Sequence, residues 1–193
     1  MKLLETISLK NGQLQNIAYH NQRFNESRRN IFGNIEVKNL SDLIKIPHEC
    51  KKEDFRCRVI YEDEIESISF IKYQQKAIKK LKIVDIGNWG YPHKYADRSF
   101  LNNLLAENQD IDEVIMTKNG FITDCTIANL VFYDGRNWFT PSTPLLQGTK
   151  RSQLLDKGLI TEREIRVEDI SQYEGVCLIN CFRNLELESL IKI

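Results

Sequence analysis

The sequence predicts an α+β fold in two parts: an N-terminal α+β domain over residues 1–87 and a strand-rich C-terminal domain over residues 88–193. Three observations carry that prediction. Short runs alternate apolar and polar residues, the period of a half-buried strand, and Asn-Gly or Asp-Gly turn signals separate several of them. Stretches with apolar residues at helical spacing are few among the strands, which makes the first part an α+β unit and the second a strand-rich domain with two helices. One composition break, Asn88 to His93 (NWGYPH), is rich in Gly, Pro and aromatic residues and reads as the connector between domains. A chain of 193 residues is long enough to bury a real hydrophobic core in one domain or two small ones.

The elements follow in order. Residues 3–9 (LLETISL) alternate, Asn11-Gly12 marks a hairpin turn, and residues 14–19 (LQNIAY) read as the returning strand. A helix follows from Asn21 to Phe32, with Arg23, Asn25 and Arg28 on polar faces and Gly33 as its C-cap. Ser41 to Ile46 reads as a second short helix opened by a Ser/Asp cap. Residues 55–61, 65–72 and 78–84 alternate in the manner of antiparallel strands and complete the first domain. Beyond the connector, Lys94 to Glu107 has helical spacing, with Lys94 at the helix start. Strands are expected at 113–117, 129–133 and 137–140, with turns at Asn119-Gly120 and Asp134-Gly135. A helix over 149–157 ends at Gly158, and a last strand begins near Val176.

Composition narrows the function classes. Lys+Arg and Asp+Glu are equal at 27 each, so no global field favours nucleic acid or an anionic membrane. The basic run 76–82 (KAIKKLK) is interleaved with apolar residues and reads as a solvated face. No stretch approaches the ~20 apolar residues of a membrane span. The opening MKLLETISLKNG lacks the apolar core and cleavage site of a signal peptide, so a cytoplasmic protein is expected. Cys50, Cys57, Cys125, Cys177 and Cys181 are odd in number and irregularly spaced, which fits reduced thiols. Cys177 and Cys181 lie far in sequence from His20, His48 and His93; both read as buried structural thiols, and no metal is expected.

The most informative stretch is TPSTPLLQGTKR at 140–151. A glycine just before a helix lets backbone N–H groups approach an anion, and the helix dipole adds partial positive charge. Lys150 and Arg151 would add two cationic donors. The earlier Gly of a Walker loop is absent, which argues against a nucleotide triphosphate. Locally, an anion site and an ordinary capped surface helix remain equally open. Three other residues have a double reading. Lys94 at a helix start opposes the dipole, which is resolved by an exposed side chain or by an amine of lowered pKa suited to Schiff-base chemistry; taken alone, exposure is favoured. Asp124, ending a short strand, is either a turn aspartate or a carboxylate for a cationic ring nitrogen. Arg23 is either a surface cation or an anion clamp.

Taken together, Arg23, Lys94, Asp124 and Gly148, in that order, resemble the class IV aminotransferase family of pyridoxal-phosphate enzymes, of fold type IV. The resemblance is carried by HNQRFNESRR at 20–29, HKYADRSFLNNLL at 93–105, GFITDCTIAN at 120–129 and WFTPSTPLLQGTKR at 138–151. ETISLKNGQLQ at 5–15 and LINCFRNLE at 178–186 also fit, so it spans most of the chain. The family includes branched-chain aminotransferases, D-amino-acid aminotransferases and aminodeoxychorismate lyases.

The resemblance implies pyridoxal 5'-phosphate as cofactor and a role for each matched residue. Lys94 falls on the lysine that bonds to the cofactor and then moves the substrate proton. Asp124 falls where the family usually has Glu, the carboxylate on the pyridine nitrogen; one methylene shorter, it needs the ring closer or a bridging water. Arg23 falls on the arginine that contacts the phosphate. Gly148, Thr149 and Lys150 fall where backbone N–H groups hold the same phosphate, and Asn180 and Cys181 on a further phosphate-side turn. Arg98 and Arg183 are candidates for the substrate carboxylate, or else surface residues in ion pairs. The chain opens almost at the ETI strand, without the usual opening strand and loop. That short opening and the LINCFRNLE turn resemble the lyases, so an aminodeoxychorismate lyase-like elimination is slightly favoured over D-amino-acid or branched-chain-type transamination. A non-catalytic carrier or regulatory protein that binds the cofactor is the alternative of another class, and a cofactor-free interaction domain a third. A homodimer acting on a small amine or amino acid is expected from the resemblance, and the balanced charge gives no nucleic acid or membrane partner.

Overall fold

The first strand, β1 (Leu3–Lys10), is an inner strand of a four-stranded sheet and is buried along most of its length. Alternation sends Leu3, Glu5 and Ile7 to one face, and Leu3 and Ile7 pack there with Phe24 of α1 (Ile17–Phe32). Asn11 and Gly12 both take positive φ, 48° and 75°, and make the hairpin turn their sequence indicates. The computed structural model describes residues 1–193 and divides the chain into two units, Met1–Gln75 with His93–Asp97, and Lys76–Pro92 with Arg98–Ile193.

In the first unit the sheet order is β2-β1-β3-β4, with β2 at Gln13–Leu14, β3 at Phe55–Tyr61 and β4 at Ile65–Lys72. The expected returning strand over 14–19 stops at Leu14. Asn16 turns left-handed (φ 56°) as the N-cap and the chain enters α1 at Ile17. Leu14, Ile17, Phe24 and Ile31 then meet the same core, a helical spacing that outweighs the short alternation. Gly33 closes α1 at φ 71°, as expected of an αL C-cap. Arg28, expected on a polar face, is instead fully buried. Its Nε donates to the Asp63 carbonyl at 2.7 Å and its Nη1 to the Glu36 carbonyl at 2.7 Å, so it ties irregular backbone to the helix. The short helix α2 (Leu40–Leu43) starts earlier than expected, because Asn39 caps it by accepting from Ser41 N at 3.0 Å.

Residues 93–97 return to this first sheet. Leu4 N donates to the Lys94 carbonyl at 2.8 Å, Ala96 N donates to the Lys2 carbonyl at 2.9 Å, and Leu3 and Tyr95 form an antiparallel bridge. Lys94 therefore sits in extended backbone along β1. The helix expected from residue 94, α3, begins only at Ser99 and ends at Ala106.

The second unit holds the other sheet. Strands β5 (Leu81–Asp85), β6 (Glu113–Lys118), β7 (Phe121–Cys125), β8 (Asn129–Tyr133), β9 (Trp138–Pro141) and β10 (Thr161–Arg163) run in reverse order across it, and β11 (Gly175–Ile179) pairs with β8. The alternating 78–84 run, expected with the first domain, supplies β5, which pairs parallel with β6. Alternation shows that a segment is a strand; partner choice depends on tertiary packing, so the chain enters the second unit at Lys76 and Lys94 belongs to the first. β10 carries no alternation signal: its three residues are all exposed. On β8, Leu130 and Phe132 face one core with Ile122, Val176 and Leu178, while Val131 faces another with Leu154 of α4 (Thr149–Asp156). No helix is long and apolar enough to cross a membrane. Cys177 is buried as expected, and Cys50, Cys57 and Cys125 are buried too, burial pushing the Cys57 thiol up to about 12; Cys181, expected to be buried, is only half-buried.

Candidate active site

The first unit builds a charged cluster around Glu5. Glu5 is on the β1 face that packs on α1, and His20 and Arg23, three apart, share a face of that helix. The Arg23 guanidinium grips Glu5 through two bonds, Nε to Oε1 at 2.8 Å and Nη2 to Oε2 at 2.7 Å. His20 Nδ1 lies 2.6 Å from Glu5 Oε2. Glu5 and His20 side chains are wholly buried, whereas Arg23 keeps 13% of its side chain exposed. Burial works against the Glu5 charge, but Arg23 and His20 outweigh it and hold the carboxyl at about 2. Burial also lowers the His20 pKa, opposed by Glu5 and reinforced by the charges of Arg23 and Lys94. His20 is thus neutral at pH 7, with Nδ1–H donating to Glu5. The influence of Arg23 and Lys94 on one imidazole places both predicted residues in the same neighbourhood of this unit.

The second unit builds an anchored loop. Asp124, at the end of β7, is 5% exposed. Its Oδ2 accepts from Leu145 N at 2.9 Å and Leu146 N at 3.0 Å, and its Oδ1 from Asn129 Nδ2 at 2.7 Å. Asn129 Nδ2 also donates to the Leu146 carbonyl at 2.9 Å. Desolvation pushes the Asp124 carboxyl up to about 6, against those hydrogen bonds and the Arg151 charge. Asp124 is thus the turn aspartate of the first reading, accepting the Leu145 and Leu146 amides, and its carboxylate is buried.

Gly148 is the N-cap of α4 with extended backbone (φ −74°, ψ 139°), so left-handed freedom is not why glycine stands there. A Cβ at this position would run into the side-chain oxygen of Asn129. Asn129, Asp124 and Gly148 thus form one steric and hydrogen-bonded unit immediately before α4. The first turn of that helix carries no acidic residue, and its N-cap has no side chain to cap it. Lys150 Nζ donates to Gln153 Oε1 at 3.2 Å. Arg151, expected as a second cationic donor, is 1% exposed. It donates to Gln147 Oε1 at 2.8 Å, the Pro141 carbonyl at 3.0 Å and Glu162 Oε1 at 2.5 Å, so it is a pillar joining α4 to β9 and β10.

The remaining candidates hold loops. Arg98 Nη2 donates to the Thr126 carbonyl at 2.8 Å, and Asn180 Nδ2 to the Ile127 carbonyl at 3.1 Å. Asn180 Oδ1 accepts from Phe182 N and Arg183 N, closing a tight turn beside Cys181, and Arg183 Nη2 donates to the Lys76 carbonyl. Buried Glu113 accepts from Thr126 N at 3.2 Å and Thr126 Oγ1 at 2.8 Å, so three side chains fix the 126–128 loop. Glu5, His20, Glu113 and Asn129 are the structural partners that sequence reasoning missed. For Glu5 a signal existed: a carboxylate in the inward row of Leu3 and Ile7 needs a partner. No group of three or more His, Cys, Asp and Glu side chains is arranged to hold a metal ion.

Residues 2–185 match the family described as amino-transferase class IV, and the chain belongs to that family. Among its relatives, a protein of unassigned function from Haemophilus influenzae is 40% identical over 185 residues, covering 95% of this chain and 98% of the relative. A crystal structure of a proposed 4-amino-4-deoxychorismate lyase from Haemophilus somnus 129PT is similar with a TM-score of 0.88 and 36% identity, over 95% of this chain and 97% of that one. A hypothetical aminotransferase from Mycobacterium tuberculosis, solved in a form with bound pyridoxal phosphate, shares the fold with a TM-score of 0.76 at 17% identity, over 93% and 77% of the two chains.

Proposed function

We propose that this protein is a pyridoxal 5'-phosphate enzyme that eliminates from a small amino-group substrate in the manner of an aminodeoxychorismate lyase. One observation carries the reading: Asp124, buried and pushed up to about 6, stands beside an acid-free helix start whose capping position admits only glycine. A buried carboxylate with raised pKa is matched by a cationic ring nitrogen, and an uncapped helix start by a phosphate. Asp124 Oδ1 accepts one bond from Asn129, and a carboxylate oxygen has two lone pairs, so acceptor capacity remains for a ring N–H. The residues present fit the cofactor.

When bound, pyridoxal phosphate supplies an electron sink for the charge left at the substrate α-carbon. The chain's own groups do the rest. Lys94 would hold the cofactor through its amine and, once the substrate amine has taken its place, the freed amine would accept the α-proton. Asp124 keeps the ring nitrogen protonated. Arg23 and the backbone N–H groups of Gly148, Thr149 and Lys150 bind the phosphate, with Asn180 and Cys181 on its further turn. Arg98 and Arg183 bind the substrate carboxylate; each donates from Nη2 to a backbone carbonyl, and a guanidinium has further N–H donors. The enzyme acts in the cytoplasm as a homodimer.

The likeness to the Haemophilus somnus protein, at 36% identity across nearly all of both chains, supports elimination over transamination. The test is product analysis. Purified protein loaded with cofactor should release pyruvate from 4-amino-4-deoxychorismate. Amino transfer from a D- or branched-chain amino acid to a 2-oxo acid, without pyruvate release, would move the assignment to an aminotransferase. Bound cofactor that no amine donor perturbs would make it a carrier.

A further inference from the structure

The mechanism above uses Arg23 and leaves its two buried partners without a role. Glu5 lies in the inward row of β1 among Leu3 and Ile7, a place where an ionised carboxylate is costly unless paired and hydrogen-bonded. Arg23 meets it side-on, through Nε at 2.8 Å and Nη2 at 2.7 Å, which fixes the plane of the guanidinium as well as its position. His20 Nδ1, at 2.6 Å, shares Oε2 with Arg23, so two side chains hold the carboxylate. The result is graded exposure: Glu5 and His20 are sealed, and Arg23 alone of the three reaches solvent, with 13% of its side chain exposed.

We infer that Glu5 and His20 are positioning residues for Arg23, presetting its guanidinium for a phosphate monoester. The inference rests on the assignment of Arg23 to the cofactor phosphate. A long, flexible side chain ordinarily loses rotamer freedom when it clamps an anion; here that freedom is already lost in the folded protein. Retention of Glu5 for stability alone is a weak explanation, because an apolar residue in that row would pack with Leu3, Ile7 and Phe24 at no electrostatic cost.

The experiment compares pyridoxal phosphate with pyridoxal, which has the same aldehyde and ring but no phosphate. Both are titrated into protein stripped of cofactor, and the ratio of their dissociation constants is the readout. A general loss of packing weakens both ligands and leaves that ratio unmoved. Arg23→Gln should weaken the phosphorylated ligand selectively, by about a hundredfold, and Glu5→Gln by about tenfold, each tenfold being 1.4 kcal/mol. The double variant should be no worse than Arg23→Gln, since Glu5 acts through Arg23. If Arg23→Gln shifts the ratio but Glu5→Gln does not, the positioning role is overturned and the phosphate assignment stands. If Arg23→Gln leaves the ratio unchanged, the phosphate assignment itself fails, and the positioning role with it. Should Glu5→Gln not fold, Glu5→Asp keeps the charge and withdraws the carboxylate by one methylene. A selective loss of the phosphorylated ligand then supports the inference, and an unchanged ratio overturns it.

Discussion

Replacing Asp124 by Asn separates the two roles of that residue by their pH dependence. In the cofactor-free protein burial raises the Asp124 carboxyl from its ordinary 3.8 to about 6. A raised carboxyl favours the folded state fully below pH 3.8 and loses that contribution as pH climbs through 6. The shift corresponds to about 3 kcal/mol at 1.36 kcal/mol per unit. Asn cannot ionise, so Asp124→Asn escapes this loss. It also replaces an acceptor facing Asn129 Nδ2 with an amide group that can point its oxygen at only part of the cluster, at a cost of about 1–3 kcal/mol at every pH. The variant of the cofactor-free protein should therefore be less stable than wild type near pH 4. It should gain about 3 kcal/mol relative to wild type by pH 7.5, most of it between pH 4 and 6.5. Urea denaturation of both proteins across that range measures the difference directly. With cofactor bound, the ring cation stabilises the ionised carboxylate and the relative gain should vanish. A stability difference that stays flat with pH in the cofactor-free protein would refute the claim that Asp124 is a buried carboxylate awaiting a cation.

Two further substitutions test the frame that holds the site. Gly148→Ala drives a methyl group into the Asn129 oxygen, and should destabilise by about 1–3 kcal/mol and weaken cofactor binding together; thermal melts with and without cofactor would show it, and an unaltered affinity would deny that the Asn129–Gly148 contact shapes the helix start. Arg151→Met removes a buried guanidinium with bonds to Gln147, Pro141 and Glu162, and should cost about 3 kcal/mol in urea denaturation. If Arg151 were a phosphate ligand instead of a pillar, the change would weaken pyridoxal phosphate more than pyridoxal; equal loss of both is expected.

Local chemistry was legible in the sequence wherever a short segment decides its own conformation. Asn11-Gly12, Asn119-Gly120 and Gly135 take the positive φ values their turns require, and the alternating runs at 55–61 and 65–72 are strands over those same residues. Partner choice was not legible. The 78–84 run alternates like its predecessors, yet β5 pairs in parallel with β6 through a crossover that contains α3, because alternation marks a strand without naming its partner and the helix beyond residue 94 reads in sequence as part of a separate domain. Lys94 was expected at a helix start, where the dipole argument made it conspicuous. It lies in extended backbone beside β1, five residues before α3 begins, so that argument lapses and its significance rests on the family motif. The burial of Arg28 and Arg151 could not be read either: both are cationic residues on helices, and only the backbone carbonyls brought to them by distant segments explain it. Asn129 was visible only as part of a motif, and its steric demand on Gly148 emerges from the loop that Asp124 anchors.

Lys94 is the residue proposed to carry pyridoxal phosphate. Borohydride reduction of the cofactor-loaded protein, followed by peptide mapping, tests it most directly. The expected product carries a pyridoxyl group on Lys94, lost completely in Lys94→Ala. Cofactor fixed on a different lysine, or protein that takes up no pyridoxal phosphate at all, would contradict it.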